Sequence, residues 1–134
     1  MSSHSEYHAA GWRVDHDPRT NRSTLLVGDR ISALRAPADF AAHVHHVLAV
    51  HLQAGPVLAD GADWVLFTQL SPHPEPPSDL PELAAVPAGT RLALPPLNDP
   101  RWINPPRMGL AVPAHQVVCS ATRRARLVAP LAAA

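Results

Sequence analysis

The chain has 134 residues, of which 46% are hydrophobic, with 11 basic and 11 acidic side chains and a formal net charge of zero. This describes one folded domain with a modest core rather than a disordered chain, and neutrality argues against a protein built mainly to coat nucleic acid. No apolar run approaches the ~20 residues that span a bilayer, MSSHSEYHAAGW lacks a secretory pattern, and Cys119 is the single cysteine, so the cytoplasm is the expected compartment, with no membrane partner, no disulfide within the chain and no cysteine cluster for zinc.

Residues 1–10 show little periodicity and read as a flexible arm, followed by one domain over 11–130 and a frayed LAAA tail at 131–134. Alternation predicts strands at Gly11–Asp15 and Ser23–Val27, separated by the polar turn HDPRTNR. VGDR at 27–30 is a tight-turn signal that would make Ser23–Val27 and Arg30–Leu34 a hairpin.

The strongest helix pattern is APADFAAHVHHVLAVHLQAG. Pro37 suits its first turn, Asp39 complements its positive end and Gly55 suits its C-terminal cap. Phe40, Val44, Val47, Leu48 and His51 fall on or near one face, with Leu52 flanking it, so this helix is expected to pack on a sheet.

GPVLAD and DWVLFTQL then form two strands about Asp60-Gly61, with Trp64, Leu66 and Thr68 facing one side and Val65, Phe67 and Gln69 the other. Residues 71–88 are interrupted by prolines, among them Pro72, Pro74, Pro76 and Pro77, and read as an extended, partly polyproline loop with a helical turn at Leu80–Ala85. That loop is a candidate protein-interaction segment. Thr90–Leu94 returns as a strand, and Pro113 opens a second helix through PAHQVVCSATRRARLVA. The order predicts an α+β fold, a mostly antiparallel sheet packed by two helices.

Charge is unevenly spread. Six acids lie between 56 and 100 against Arg91 alone, whereas 101 onward carries Arg101, Arg107, Arg123, Arg124 and Arg126 with no acid. The two regions can complement each other inside one fold, between two copies, or towards an outside partner. All the basic residues are arginine, and with abundant Ala, Pro, Leu and Val this reads as the coding bias of a GC-rich genome such as an actinobacterium's.

Three kinds of chemistry have candidates. Histidines at 43 and 46 have a spacing that puts two metal ligands on one helix face, but a site would need a further ligand such as His73 or His115, and a polar helix flank is the preferred reading. Asp15 and Asp17, two apart on a strand, could share a divalent cation, although Asp17-Pro18 is also an ordinary turn. Arg91, Arg101, Trp102 and Arg107, with the RRAR run at 123–126, could contact nucleic acid, Trp102 stacking on a base beside the Arg101 fork. The competing reading packs Trp102 over a sheet edge with its indole N–H bonded to a carbonyl. Cys119 lies in the apolar run VVCSA and resembles a small buried hydrophobe. No glycine-rich phosphate loop is present. No catalytic residue and no cofactor is implied.

The succession ISALRAPADFAAHV, GPVLADGADWVLFT and LAAVPAGTRLALPPLNDPRWINPP resembles the actinobacterial bifunctional DNA primase/polymerase N-terminal family, over residues 28–107. Its most specific piece runs from Gly89 to Pro106, ending in the RW-x-x-PP pattern. The resemblance implies a truncated primase/polymerase-like domain. It also implies lost chemistry. Ser32 and Arg35 stand where the family's metal-binding acids would be, Trp64 stands at its nucleotide-contacting histidine, and LAAVPAG lacks its third acid. Without carboxylates nothing would hold the magnesium that compensates a triphosphate. The expectation is a non-catalytic accessory or regulatory module with a protein partner or a second copy of itself. A nucleic-acid-binding remnant is the first alternative, and a small metalloenzyme using histidine or aspartate the second.

Overall fold

The structure, a computed structural model, describes residues 3–133, with side chains from 5 to 128. Three α-helices and eight strands alternate as α1 (Ser3–Ala9), β1 (Asp15–Asp17), β2 (Arg22–Leu26), β3 (Ile31–Pro37), α2 (Ala38–Val50), β4 (Val57–Asp60), β5 (Asp63–Gln69), β6 (Ala84–Ala85), β7 (Arg91–Leu94), β8 (Trp102–Asn104) and α3 (His115–Ala133). The fold is α+β with antiparallel pairing throughout, but the strands divide into two sheets, ordered β1-β2-β7 and β6-β3-β5-β4-β8.

The five-stranded sheet is the wall of the molecule. β3 and β5 pair along their whole length, from Ile31 opposite Gln69 to Pro37 opposite Asp63. Because strand side chains alternate, each strand feeds two cores. Ile31, Ala33, Val65 and Phe67 join Leu25, Leu92 and Leu94 of the small sheet in the first core. Leu34, Ala36 and Leu66 join Ala41, Val44 and Leu48 of α2 and Val118, Ala121 and Ala125 of α3 in the second. The result is three layers, small sheet, large sheet and helices, with the expected two-sided reading of β5 in the middle. The β4–β5 hairpin turns at Asp60-Gly61, as its sequence requires.

The expected hairpin at 27–30 does not form. Val27 stays with the small sheet, where its N–H donates to Thr90 O at 2.9 Å and its carbonyl accepts the Gly89 N–H at 2.8 Å. Gly28 then turns the chain at φ 92°, and a Cβ there would lie 2.7 Å from Ala88 Cβ. This crowding and the left-handed backbone both call for glycine. The segment therefore hands the chain from one sheet to the other.

The described part of the first ten residues, from Ser3 onward, is not a loose arm. Seven of them form α1, and Tyr7 is fully buried. Four of the six aromatic residues, Tyr7, Trp12, Phe67 and Trp102, meet in one cluster with ring centroids 5.0 to 6.3 Å apart. The strand expected at 11–15 starts only at Asp15, because Trp12 turns inward to that cluster. At the other end α3 continues through Ala133, so 131–133 extend the helix rather than fraying from it; Ala134, like Met1 and Ser2, lies outside the described residues.

The proline-rich loop is also anchored. Leu80, Leu83 and Val86 are buried. In place of a helical turn over 80–85, a tight turn (Leu83 N–H to Leu80 O, 3.2 Å) leads into β6, which pairs with Leu34 and Arg35 of β3. This short strand covers what would be an open sheet edge. No helix among the described residues is long and apolar enough to cross a membrane.

Replacing Tyr7 by phenylalanine deletes the only hydroxyl in the aromatic cluster and leaves the Trp102 indole N–H without its acceptor. Urea unfolding is expected to show a loss of about 1–3 kcal/mol. A flexible arm would leave the midpoint unchanged.

Candidate functional site

The segment RLALPPLNDPRWINPP, which carries the Arg-Trp candidate rim, is fixed from both ends. β7 binds its first four residues to β2, and β8 binds Trp102 to Leu58 of β4. Trp102 is 5% exposed, so its ring has no free face for a base. Its indole N–H donates to the Tyr7 hydroxyl at 2.8 Å, and that hydroxyl donates onward to the Pro95 carbonyl. The acceptor is thus a tyrosine rather than the carbonyl expected. Burial pushes the Tyr7 phenol well above its ordinary pKa, so it stays a donor.

The candidate arginines are dispersed, and four of them meet carboxylates. Arg101 grips Asp99 through Nε and Nη2 at 3.0 and 3.1 Å, and this fork holds the Asp99 carboxyl below its usual range. Arg91 pairs with Asp15 at 3.0 Å. Arg123 pairs with Asp79 at 3.0 Å and Arg126 with Glu82 at 2.8 Å, fastening the proline-rich loop to α3. The acidic middle and the basic end therefore complement each other within one chain. Arg107 donates to Asn104 at 3.4 Å, and Arg124 to His51 Nε2 at 2.9 Å.

The other candidates are also engaged. Of the four candidate loop prolines, Pro72 is exposed while Pro74, Pro76 and Pro77 are half-buried, and the Pro74 carbonyl lies 3.1 Å from His115 Nε2. Asp15 is occupied by Arg91, and Asp17 Oδ1 accepts the Arg19 N–H at 2.9 Å, the local turn its proline suggested. His43 is half-buried and His46 exposed, and no group of three or more His, Cys, Asp or Glu among the described residues is placed to hold a metal. At the positions where the resembled family would carry acids, Ser32 Oγ accepts the Ser71 N–H at 3.0 Å and Arg35 pairs with Asp60 at 2.8 Å. Trp64 packs against the second core.

The helical layer offers a different kind of surface. α2 ends at Val50, and His51 is its C-cap. Leu52 then takes the left-handed conformation, φ 58°, while its N–H bonds Ala49 O at 3.0 Å and the Gln53 N–H bonds Leu48 O at 2.8 Å. These two bonds form a Schellman motif, whose left-handed position normally belongs to glycine. The expected Gly55 cap instead packs against Pro113, where a Cβ would lie 2.3 Å from Cδ. Leu52 is 95% exposed, so it gains neither burial nor an easy backbone.

Beside it, a cavity of about 320 Å³ opens between α2 and α3, with Val47, Val117 and Ala121 along it and His51, Ser120 and Arg124 around it. Val128 continues the Val117–Ala121–Arg124 stripe by one helical turn, and it and Leu127 are 53% and 74% exposed. On α2, Asp39, His46 and Val50 share an exposed stripe, flanked by exposed Ala42 and Ala49. Compared with family models, curated proteins and solved structures, the chain matches none.

The apolar helical face was only partly visible in the sequence. Leu52 flanks the predicted buried stripe and looks like part of it until the helix is seen to stop before it. The available signal was the absence of glycine between Val50 and Gly55.

Cys119 is buried on α3, with Sγ 3.8 Å from His115 Nδ1. Burial pushes its thiol pKa up, so less thiolate is present at pH 8 than in a free cysteine. With a disulfide-exchange reagent at pH 8, labelling of the native protein is expected to be at least about tenfold slower than in urea. Equal rates would show that the thiol is neither buried nor raised.

Proposed function

We propose that the chain is a non-catalytic accessory or regulatory module, of primase/polymerase-like descent, that acts by self-association through the outer face of α2 and α3. The descent rests on the sequence resemblance. What supports the loss of chemistry is that the positions of the resembled family's acids hold Ser32 and Arg35, each in a structural bond.

One observation carries the interface: Leu52. An exposed leucine in a left-handed cap costs about 1 kcal/mol relative to glycine and gains nothing within the chain. Val50, Leu127 and Val128 add exposed apolar surface on the same layer. A second copy suits this face by shape and charge. Two α2 helices laid antiparallel about a two-fold axis would place Ala42 of one against Ala49 of the other, where small side chains allow close approach. The same axis would bring Asp39 of one copy beside the His51–Arg124 pair of the other, and among the described residues neither Asp39 nor Arg124 has an ion-pair partner.

The nucleic-acid reading has less support, since Arg91, Arg101, Arg123 and Arg126 are matched by acids and Trp102 is buried. A metal-dependent reading lacks a ligand cluster among the described residues.

Sedimentation equilibrium of the full chain at micromolar concentrations is expected to show a reversible dimer. Leu52→Asp and Leu127→Asp should each weaken it at least tenfold. Leu52→Gly separates the two roles of the site: it should weaken the dimer yet raise the stability of the dissociated chain by about 1 kcal/mol. A wild-type monomer throughout that range, or a dimer indifferent to all three substitutions, would overturn the reading.

A further inference from the structure

A second cleft lies on the other side of the large sheet, where the small sheet meets the start of β3. Trp12, Leu25, Ile31, Leu70 and Val112 give it an apolar wall around a cavity of about 270 Å³. Leu70 is half exposed there, and Trp12 is only partly buried, so the wall is open at one side. Arg13 and Arg30 stand at the mouth, lining both this cavity and an adjoining polar one of about 290 Å³.

These two guanidiniums differ from the arginines already described. Both are exposed, and among the described residues neither has a hydrogen-bond or ion-pair partner. Two carboxylates share the polar cavity. Asp15 is already held by Arg91 at 3.0 Å, which among the described residues leaves Asp29 as the one counter-charge at the mouth without an ion pair. Two forks against one free carboxylate leave a net positive end on an apolar slot. The remaining Asp29 charge disfavours a ligand carrying two negative charges close together.

We propose that this cleft binds a small amphiphilic monoanion, a carboxylic acid with a compact apolar or aromatic body. The body lies along Trp12, Leu25, Ile31 and Leu70, and the carboxylate is gripped by Arg13 and Arg30. Planar two-pronged guanidinium recognition suits a carboxylate, and an apolar pocket with a few convergent polar groups is the ordinary form of a small-molecule site. The assignment is independent of self-association, since no residue of the cleft belongs to the α2/α3 face.

The test uses 8-anilinonaphthalene-1-sulfonate, an amphiphilic monoanion that brightens when its rings leave water, beside its neutral relative N-phenyl-1-naphthylamine. One saturable sulfonate site per chain is expected, displaced by 2-naphthoate better than by 2-naphthyl phosphate. The double variant Arg13→Gln/Arg30→Gln should weaken the sulfonate at least tenfold and the neutral dye less than twofold. Both arginines are exposed and unpartnered, so an unchanged urea midpoint is expected to show that the fold is intact. The proposal is overturned if no saturable site exists, if the double variant binds the sulfonate as wild type does, or if binding is lost in Leu52→Asp or Leu127→Asp, which would place the dye on the helical face.

Discussion

Much of the first core hangs on one buried hydroxyl. The Tyr7 oxygen accepts from the Trp102 indole and donates to the Pro95 carbonyl, joining segments 88 and 95 residues away in sequence. A buried indole N–H or peptide carbonyl left without a partner costs as much as a lost hydrogen bond or more. The relay satisfies both with a single oxygen, and the aromatic cluster around it keeps water out. Pro95-Pro96 holds that carbonyl in place because proline restricts φ. The Pro-rich rim is therefore a brace for the N-terminal helix, which explains why Trp102 is turned inward while Arg101 beside it stays exposed.

The large sheet converts this brace into a three-layer molecule. β3 and β5, paired over their full length, present alternate side chains to two cores. β6 shields the outer side of β3, and the acids of the same loop fasten it to α3 through Arg123 and Arg126. Such exposed ion pairs add little individually. Their effect is geometric, since they hold a proline-rich segment against the helix whose inner face completes the second core. The covered side of α2 and α3 is thereby fixed, and so is the side left open.

The sequence made local patterns legible and long-range partners obscure. Alternation in DWVLFTQL sorted its side chains onto the correct faces, and Asp60-Gly61 marked the hairpin, because both are properties of adjacent residues. The Val27–Arg30 turn misled because a hairpin and a hand-over between sheets use the same glycine chemistry; only the distant Gly89 and Thr90 decide between them. α1 was missed because a seven-residue amphipathic segment has no stable helix of its own, and its order comes from burying Tyr7. At the candidate sites, the charge imbalance between the middle and the end of the chain was visible, and cancellation inside one fold was one of the three outcomes it left open, because the pairing of Arg123 and Arg126 with Asp79 and Glu82 depends on long-range folding. The WR pair at 12–13, which passed unnoticed beside the RW pair at 101–102, is the one whose ring and guanidinium both border an open cleft.

Placement of the cleft and the helical face follows from that same sheet. Ile31 and Gln69, opposite each other at the first rung of the β3–β5 ladder, both line the cleft. The later rungs, Leu34 opposite Leu66 and Ala36 opposite Trp64, lie under the helices. A ligand against Ile31 thus has no direct contact with α2 or α3, and any influence on the outer helical face has to pass along two strands locked by pairing over their whole length. Close-packed interiors respond to such a push by discrete repacking rather than by gradual flexing. Residues 31–37 already fix both cores, so the ladder acts as a rigid partition between the proposed helical interface and the proposed cleft.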